Sequence, residues 1–177
     1  MKPVAIFCAF TAAALALSSP ARAGELFGGV YVHDVKTPLD KSGIESGVDL
    51  SIGYRAGGIG QLFHGLLQPY VLGALNSAGN TDYAAAGIAA KYDLGGRWYI
   101  RPGIGIAIHD GSADKYFRAD KIAFGSRVLF EPELGIGVRV SRRFSMEASW
   151  IHMSHAQLFG KENPGIDNIG VRLNLVL

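Results

Sequence analysis

From residue 24 onward the chain repeats one pattern, apolar and polar residues in strict alternation, with glycine-rich or polar breaks between the runs. In Val48-Asp49-Leu50-Ser51-Ile52-Gly53-Tyr54-Arg55 every even position is apolar and every odd one is polar or Gly. Residues 100–109 repeat this, and from Val128 to Val140 one face carries Val128, Phe130, Pro132, Leu134, Ile136, Val138 and Val140 against Glu131, Glu133, Gly135, Gly137 and Arg139, with Leu129 as the exception. A period of two marks strands whose faces meet different surroundings. The same reading predicts strands near 26–35, 46–55, 67–76, 82–94, 97–109, 124–140, 144–155 and 166–177. Eight is an even number, and each strand is long enough to cross a bilayer at a tilt. No residues remain for a second domain. The 56–66 connection is long for a turn unless the third strand begins earlier.

A soluble barrel turns its apolar face inward, and an outer-membrane barrel reverses this. The apolar faces here are long and unbroken. The opposite faces mix Arg101, Arg127, Glu131, Glu133, Arg139, Glu147 and Arg172 with Gly and Ser, and a small barrel can pair such charges inside itself. With the amino terminus in the periplasm, Tyr54, Tyr92, Trp98 and Phe144 fall at the lower ends of the strands on the apolar parity, as an interfacial aromatic girdle requires. Segments 36–45, 77–81, 110–123 and 156–165 then become extracellular loops, and 95–96 and 141–143 periplasmic turns. The predicted fold is all-β, an eight-stranded antiparallel transmembrane β-barrel of the outer membrane.

The first 23 residues break the alternation. Lys2, an apolar stretch from Val4 to Leu17, and Ala21-Arg22-Ala23 before Gly24 have the order of a secretory signal peptide, and the apolar part is short for a membrane helix. The expected division is therefore 1–23 signal peptide and 24–177 barrel. Cleavage after Ala23 removes Cys8, the single cysteine, so disulfides play no part in the mature core. It also removes Lys2 and Arg22, after which 15 basic residues face 15 acidic ones. That balance, without a basic run, argues against a nucleic-acid partner.

The chemistry lies in the last hairpin. Met146, Ala148 and Trp150 share the outward parity of the seventh strand, and the next two positions of that parity are His152 and Ser154. Ile169, Val171, Leu173, Leu175 and Leu177 do the same in the eighth, preceded by Asp167. In a hairpin closed around 156–165, His152 comes roughly opposite Asp167. An acid that orients a His, which deprotonates a Ser two residues along its own strand, is the arrangement ester hydrolysis requires. Polar residues at a strand top also mark where a bilayer ends, but three of these types on one face favour the chemical reading. His33, His64 and His109 are scattered and read as structural or solvent-facing. Glu131 and Glu133 could suggest glycosidase carboxylates, yet their interior position beside Arg favours ion pairs. The glycines form no phosphate-binding fingerprint, and no cluster has metal-ligand spacing.

His152-Met153-Ser154-His155-Ala156, followed by Asn163-Pro164-Gly165-Ile166-Asp167-Asn168 and a closing apolar strand, resembles the PagL-type lipid A 3-O-deacylases, or acyloxyacyl hydrolases. Gly47-Val48-Asp49-Leu50, Gln68-Pro69-Tyr70, Asn76-Ser77-Ala78-Gly79-Asn80-Thr81 and Phe130-Glu131-Pro132-Glu133-Leu134-Gly135 look like further family stretches. The resemblance implies an outer-membrane esterase without a cofactor, acting on lipid A or lipopolysaccharide among outer-membrane lipids. Ser154 would be nucleophile, His152 general base and Asp167 the orienting carboxylate, with His155 and Asn163 as supporting or oxyanion groups. Oligomeric state is left open, a homodimer included. The chain departs from the family in carrying Asp where well-known members have Glu, in one more residue between His and acid, and in His155 where Asn is common.

Two other classes fit part of the pattern. A passive structural or small-solute barrel explains the fold but not the outward Ser, His and Asp, and a soluble periplasmic ligand-binding barrel explains the strands but not the outward apolar belts. Export with cleavage is checked by intact mass and amino-terminal sequencing of the protein from membranes: the mature chain is expected to start at Gly24 and to fractionate with the outer membrane.

Overall fold

The computed structural model describes residues 23–38, 43–114, 121–158 and 164–177. Segment 1–22, which holds nearly all of the expected signal peptide, lies outside the described residues. Among the described residues nine strands follow in chain order: β1 (Glu25–Val32), β2 (Val48–Arg55), β3 (Gly60–Leu62), β4 (Gly65–Asn76), β5 (Tyr83–Gly95), β6 (Trp98–His109), β7 (Val128–Arg139), β8 (Phe144–Met153) and β9 (Ile166–Val176). All pairings between them are antiparallel. β1 pairs with β9 from Glu25↔Val176 to Val32↔Ile169, and β2 pairs directly with β4, so eight strands close a ring. Closure gives each of these eight strands a partner on both sides, the condition for spanning a bilayer with sheet. Among the described residues no helix is long and apolar enough to cross a membrane.

The ninth strand answers the question of the 56–66 connection. β4 starts at Gly65, two residues before its predicted position, and β3 folds back on it through the pairs Gly60↔Leu67 and Leu62↔Gly65. The two turn residues, Phe63 (φ 46°) and His64 (φ 70°), both take the left-handed conformation that a two-residue hairpin turn of this twist demands. Neither is Gly, which hid the turn in the sequence. Two predicted ends also shift. β1 stops at Val32 because Asp34 turns left-handed (φ 54°), and β7 begins at Val128, four residues later than expected. Phe124, at the predicted start of that strand, is instead buried together with Ile122 and Ala123, and its ring packs on His109 at 4.4 Å.

The two faces of the wall separate as predicted. Leu50, Ile52, Ile104, Ile106, Ile136, Val171 and Leu173 are exposed on the outside, whereas Arg55, Arg101, Arg172, Glu131, Glu133 and Glu147 are buried in the lumen. An apolar exterior around a charged interior is the outer-membrane arrangement and not the soluble one. Arg101 meets Glu25 at 2.7 Å and Glu147 at 2.9 Å, and Arg172 meets Glu133 at 2.8 Å. Arg55 lies 3.6 Å from Glu133 and 3.8 Å from Glu147, with its guanidinium 4.0 Å from the centre of the Phe27 ring. Glu131 accepts the Tyr70 hydroxyl hydrogen bond. Glycine supplies room for these groups: a Cβ on Gly53 would stand 2.2 Å from the Phe27 ring, and one on Gly137 would stand 2.2 Å from Tyr99. The lumen of an eight-stranded barrel is just wide enough to be filled this way, which argues against a solute conduit. Arg127 and Arg139, grouped with these charges on sequence parity, sit instead at the two rims, on the Gly111 carbonyl and on Asp93.

Glu147 faces three guanidiniums, with Arg172 at 3.7 Å as the third. Removing one partner of a buried charge cluster leaves the others uncompensated, so Glu147→Ala should cost roughly 3–5 kcal/mol of barrel stability. Urea titration of the barrel refolded in phospholipid vesicles measures this.

Candidate active site

The site is built at the extracellular end of the β8–β9 hairpin. In the ladder His152 stands directly opposite Asp167, and Trp150 opposite Ile169. Directly opposed residues of an antiparallel pair hold their Cβ atoms within about 5.5 Å, so a side chain as short as Asp reaches the imidazole. The His152 Nδ1 to Asp167 Oδ1 distance is 2.7 Å, and His152 Nε2 lies 3.0 Å from Ser154 Oγ. Ser154 follows β8 in the same register, exchanging backbone hydrogen bonds with Phe130: its N–H donates to the Phe130 carbonyl at 3.1 Å and its carbonyl accepts from the Phe130 N–H at 2.8 Å. The nucleophile candidate therefore rests on the barrel wall rather than on a free loop.

All three side chains have the outward parity of their strands, yet they are shielded. Exposure falls to 9% for His152, 8% for Ser154 and 0% for Asp167, while Ile169 and Val171 farther down β9 are open. The cover comes from the chain leaving β1. Val35 donates its N–H to the Asp167 carbonyl at 2.7 Å, and the Thr37 hydroxyl donates to Asp167 Oδ2. From below, Trp150 Nε1 donates to Asp167 Oδ1 at 2.9 Å, and the indole stacks near the His152 ring at 6.0 Å. Gly165, at φ 71°, lies against the imidazole, where an added Cβ would approach His152 Cε1 to 3.1 Å. A carboxylate on Nδ1 fixes the ring proton there and leaves Nε2 to accept the Ser154 proton. This is the geometry of a nucleophile, its base and an orienting acid.

Of the two supporting residues expected from sequence, His155 is fully buried beside Ser154, and Asn163 lies outside the described residues. Sequence reasoning missed Thr37 and the Trp150 N–H. Trp150 carried a signal, its parity two residues before His152; Thr37, in a connection without periodicity, carried none.

The sequence matches the lipid A 3-O-deacylase (PagL) family over residues 40–176. The chain belongs to that family. Among solved structures it is similar to the crystal structure of the outer membrane enzyme PagL, at 21% identity over 86% of this chain and 99% of that one, with a TM-score of 0.57. It is similar also to a de novo designed transmembrane β-barrel, at 10% identity over 89% and 98% of the two chains and a TM-score of 0.55. At these identities the likeness speaks for the barrel alone. No curated protein matches the chain by sequence. As a PagL-family member the protein is an ester hydrolase of the outer membrane, and its reaction is lipid A deacylation.

Beside the PagL-family site, a second polar cluster holds the loops in place. His33, read from sequence as structural or solvent-facing, is buried, with Nδ1 2.9 Å from Asp49 and Nε2 3.1 Å from Glu45. Glu45 also accepts the N–H groups of Thr81 at 3.1 Å and Ile122 at 3.3 Å, so one carboxylate ties together three extracellular segments. Burial alone would lower the His33 pKa, but the hydrogen bonds and charges of Asp49 and Glu45 outweigh it and hold the pKa at about 9. A folded pKa above the ordinary 6.5 contributes stability that is complete below about pH 6.5 and lost as pH rises through about 9. The stability gap between the parent barrel and His33→Ala, followed by urea titration across pH, should close over that window.

Proposed function

We propose that the protein hydrolyses the ester-linked 3-hydroxyacyl chain at position 3 of lipid A, with Ser154 as nucleophile, His152 as general base and acid, and Asp167 as the carboxylate that orients His152. The observation that carries this reading is the unbroken line of contacts from Ser154 Oγ through His152 to Asp167, at 3.0 and 2.7 Å, on the outward wall at the extracellular end. Lipid A fills the outer leaflet and reaches such a site by lateral diffusion, without entering the barrel. His152 Nε2 takes the Ser154 proton as Oγ attacks the ester carbonyl, and then delivers that proton to the departing sugar hydroxyl. A water from the extracellular side, deprotonated by the same nitrogen, attacks the acyl-enzyme and frees the 3-hydroxy acid and Ser154.

Charge on the carbonyl oxygen needs donors that are preorganised. Ser154 N–H is engaged by Phe130, so the donors in this reading come from farther along the chain. The sharp turn at Ala156 (φ 51°) and Gln157 (φ 60°) follows the nucleophile directly in the chain, which makes its backbone N–H groups the main-chain candidates, and His155 and Asn163 are the side-chain candidates. Residues 1–23 serve as the export signal and 24–177 as the enzyme.

Mass spectrometry of lipid A from cells expressing the parent or Ser154→Ala tests the reading. The parent should convert lipid A to a species lighter by one 3-hydroxyacyl chain, and Ser154→Ala should leave it intact. Identical lipid A from both would refute it.

A further inference from the structure

A carboxylate that orients a histidine must itself be oriented. Asp167 has a freely turning carboxyl group at its end, and one hydrogen bond to His152 would let that group rotate and swap its oxygens. Here both oxygens are held. Oδ1 receives His152 Nδ1 at 2.7 Å and Trp150 Nε1 at 2.9 Å, and Oδ2 receives the Thr37 hydroxyl. The Trp150 donor comes from the same strand as His152, two residues before it. The Thr37 donor comes from 130 residues away in the chain, on the segment that follows β1.

That segment is built to deliver it. Past Val32 the backbone turns at Asp34, at φ 54°, and donates Asp34 N–H to Asn168 Oδ1 at 3.1 Å and Val35 N–H to the Asp167 carbonyl at 2.7 Å. The Asp34 carboxylate accepts the amides of Gly43, Ile44 and Glu45 at 3.2, 2.7 and 2.8 Å, which ties residues 43–45 to the start of the segment that carries Thr37. His33, one residue earlier, anchors it to Asp49 and Glu45. The left-handed conformation of Asp34, uncommon for a residue other than glycine, sits where the chain bends toward the acid.

We infer that Thr37 and Trp150 are positioning residues of the hydrolase: together they clamp the Asp167 carboxylate in the one orientation that keeps His152 Nε2 aimed at Ser154. The inference rests on the assignment of Ser154, His152 and Asp167 proposed above. Donors to an ionised acceptor are worth about 1.5–3 kcal/mol each, equivalent to about 10- to 100-fold in rate where the loss falls on the transition state. Thr37 acts through Asp167, so its effect falls on kcat and leaves KM in place.

The test uses the mature barrel refolded in detergent with purified lipid A, rates being normalised to the folded fraction read from its faster mobility on unheated gels. Thr37→Val keeps the shape and removes the hydroxyl, Thr37→Ser keeps the hydroxyl, and Trp150→Phe keeps an aromatic ring without the N–H. Thr37→Val is expected to lower kcat about 10- to 100-fold at unchanged KM, Thr37→Ser to restore it to within a few-fold, and Trp150→Phe to lower kcat likewise. If Thr37→Val does not fold, Trp150→Phe decides alone. A parental kcat in a folded Thr37→Val or Trp150→Phe overturns the clamp, and so does a loss that Thr37→Ser fails to restore. Ser154→Ala, run beside them, separates the two levels. If it is inactive while Thr37→Val is normal, the clamp alone falls; if it is fully active, the assignment of the three residues falls and the clamp with it.

Discussion

Arg55, Arg101 and Arg172 are sealed inside the barrel, and much of the architecture follows from the need to neutralise them. An unpaired buried charge is far more costly than the net gain from any one ion pair, so Glu25, Glu133 and Glu147 must arrive at fixed heights from three different strands. They do so only if the register of β1, β7 and β8 is correct. A slip of one residue would turn every carboxylate to the lipid and every isoleucine to the lumen. The interior charges therefore specify the same alignment that the exterior apolar belt rewards, and the two faces of the wall enforce one register from both sides.

That register is also what makes the site. His152 meets Asp167 because the β8–β9 ladder, pinned lower down by Glu147↔Arg172, runs without a shift to Met153↔Ile166. His152, Ser154 and Asp167 occupy the last outward positions before the wall ends, where the cost of polar side chains facing lipid has fallen toward zero. Lower on the same face they would sit in hydrocarbon; higher, they would leave the ladder that aligns them. The position is a compromise between reach to the headgroup end of a lipid and rigidity of the support.

The alternation of apolar and polar residues made the strands legible, since each strand presents one face to lipid and the other to a packed lumen. Ends were less so, because they are decided by tertiary partners: β1 stops where Asp34 turns left-handed and His33 finds two carboxylates, and β7 starts four residues late, after Phe124 has packed on His109. The β3–β4 hairpin was missed because Phe63 and His64 take a turn conformation that sequence normally announces with Asn or Gly. At the site, His152, Ser154 and Asp167 stood out as polar interruptions of apolar faces. Thr37 interrupts nothing, and only the folded path of residues 33–37 gives it a partner.

The distance in sequence between Thr37 and Asp167 has a consequence for the birth of the enzyme. The pairing of β1 with β9 joins the strands farthest apart in sequence, the largest loop the fold must close, and loop-closure entropy makes it the costliest seam to form. The segment that covers Asp167 hangs from β1 and reaches it only across that seam. A half-assembled sheet, even with its β8–β9 hairpin complete, has an acid without its cover. On the assignment proposed above, competence for hydrolysis would come only with the closed cylinder, because an open sheet would lack the donor that Thr37 brings to Asp167.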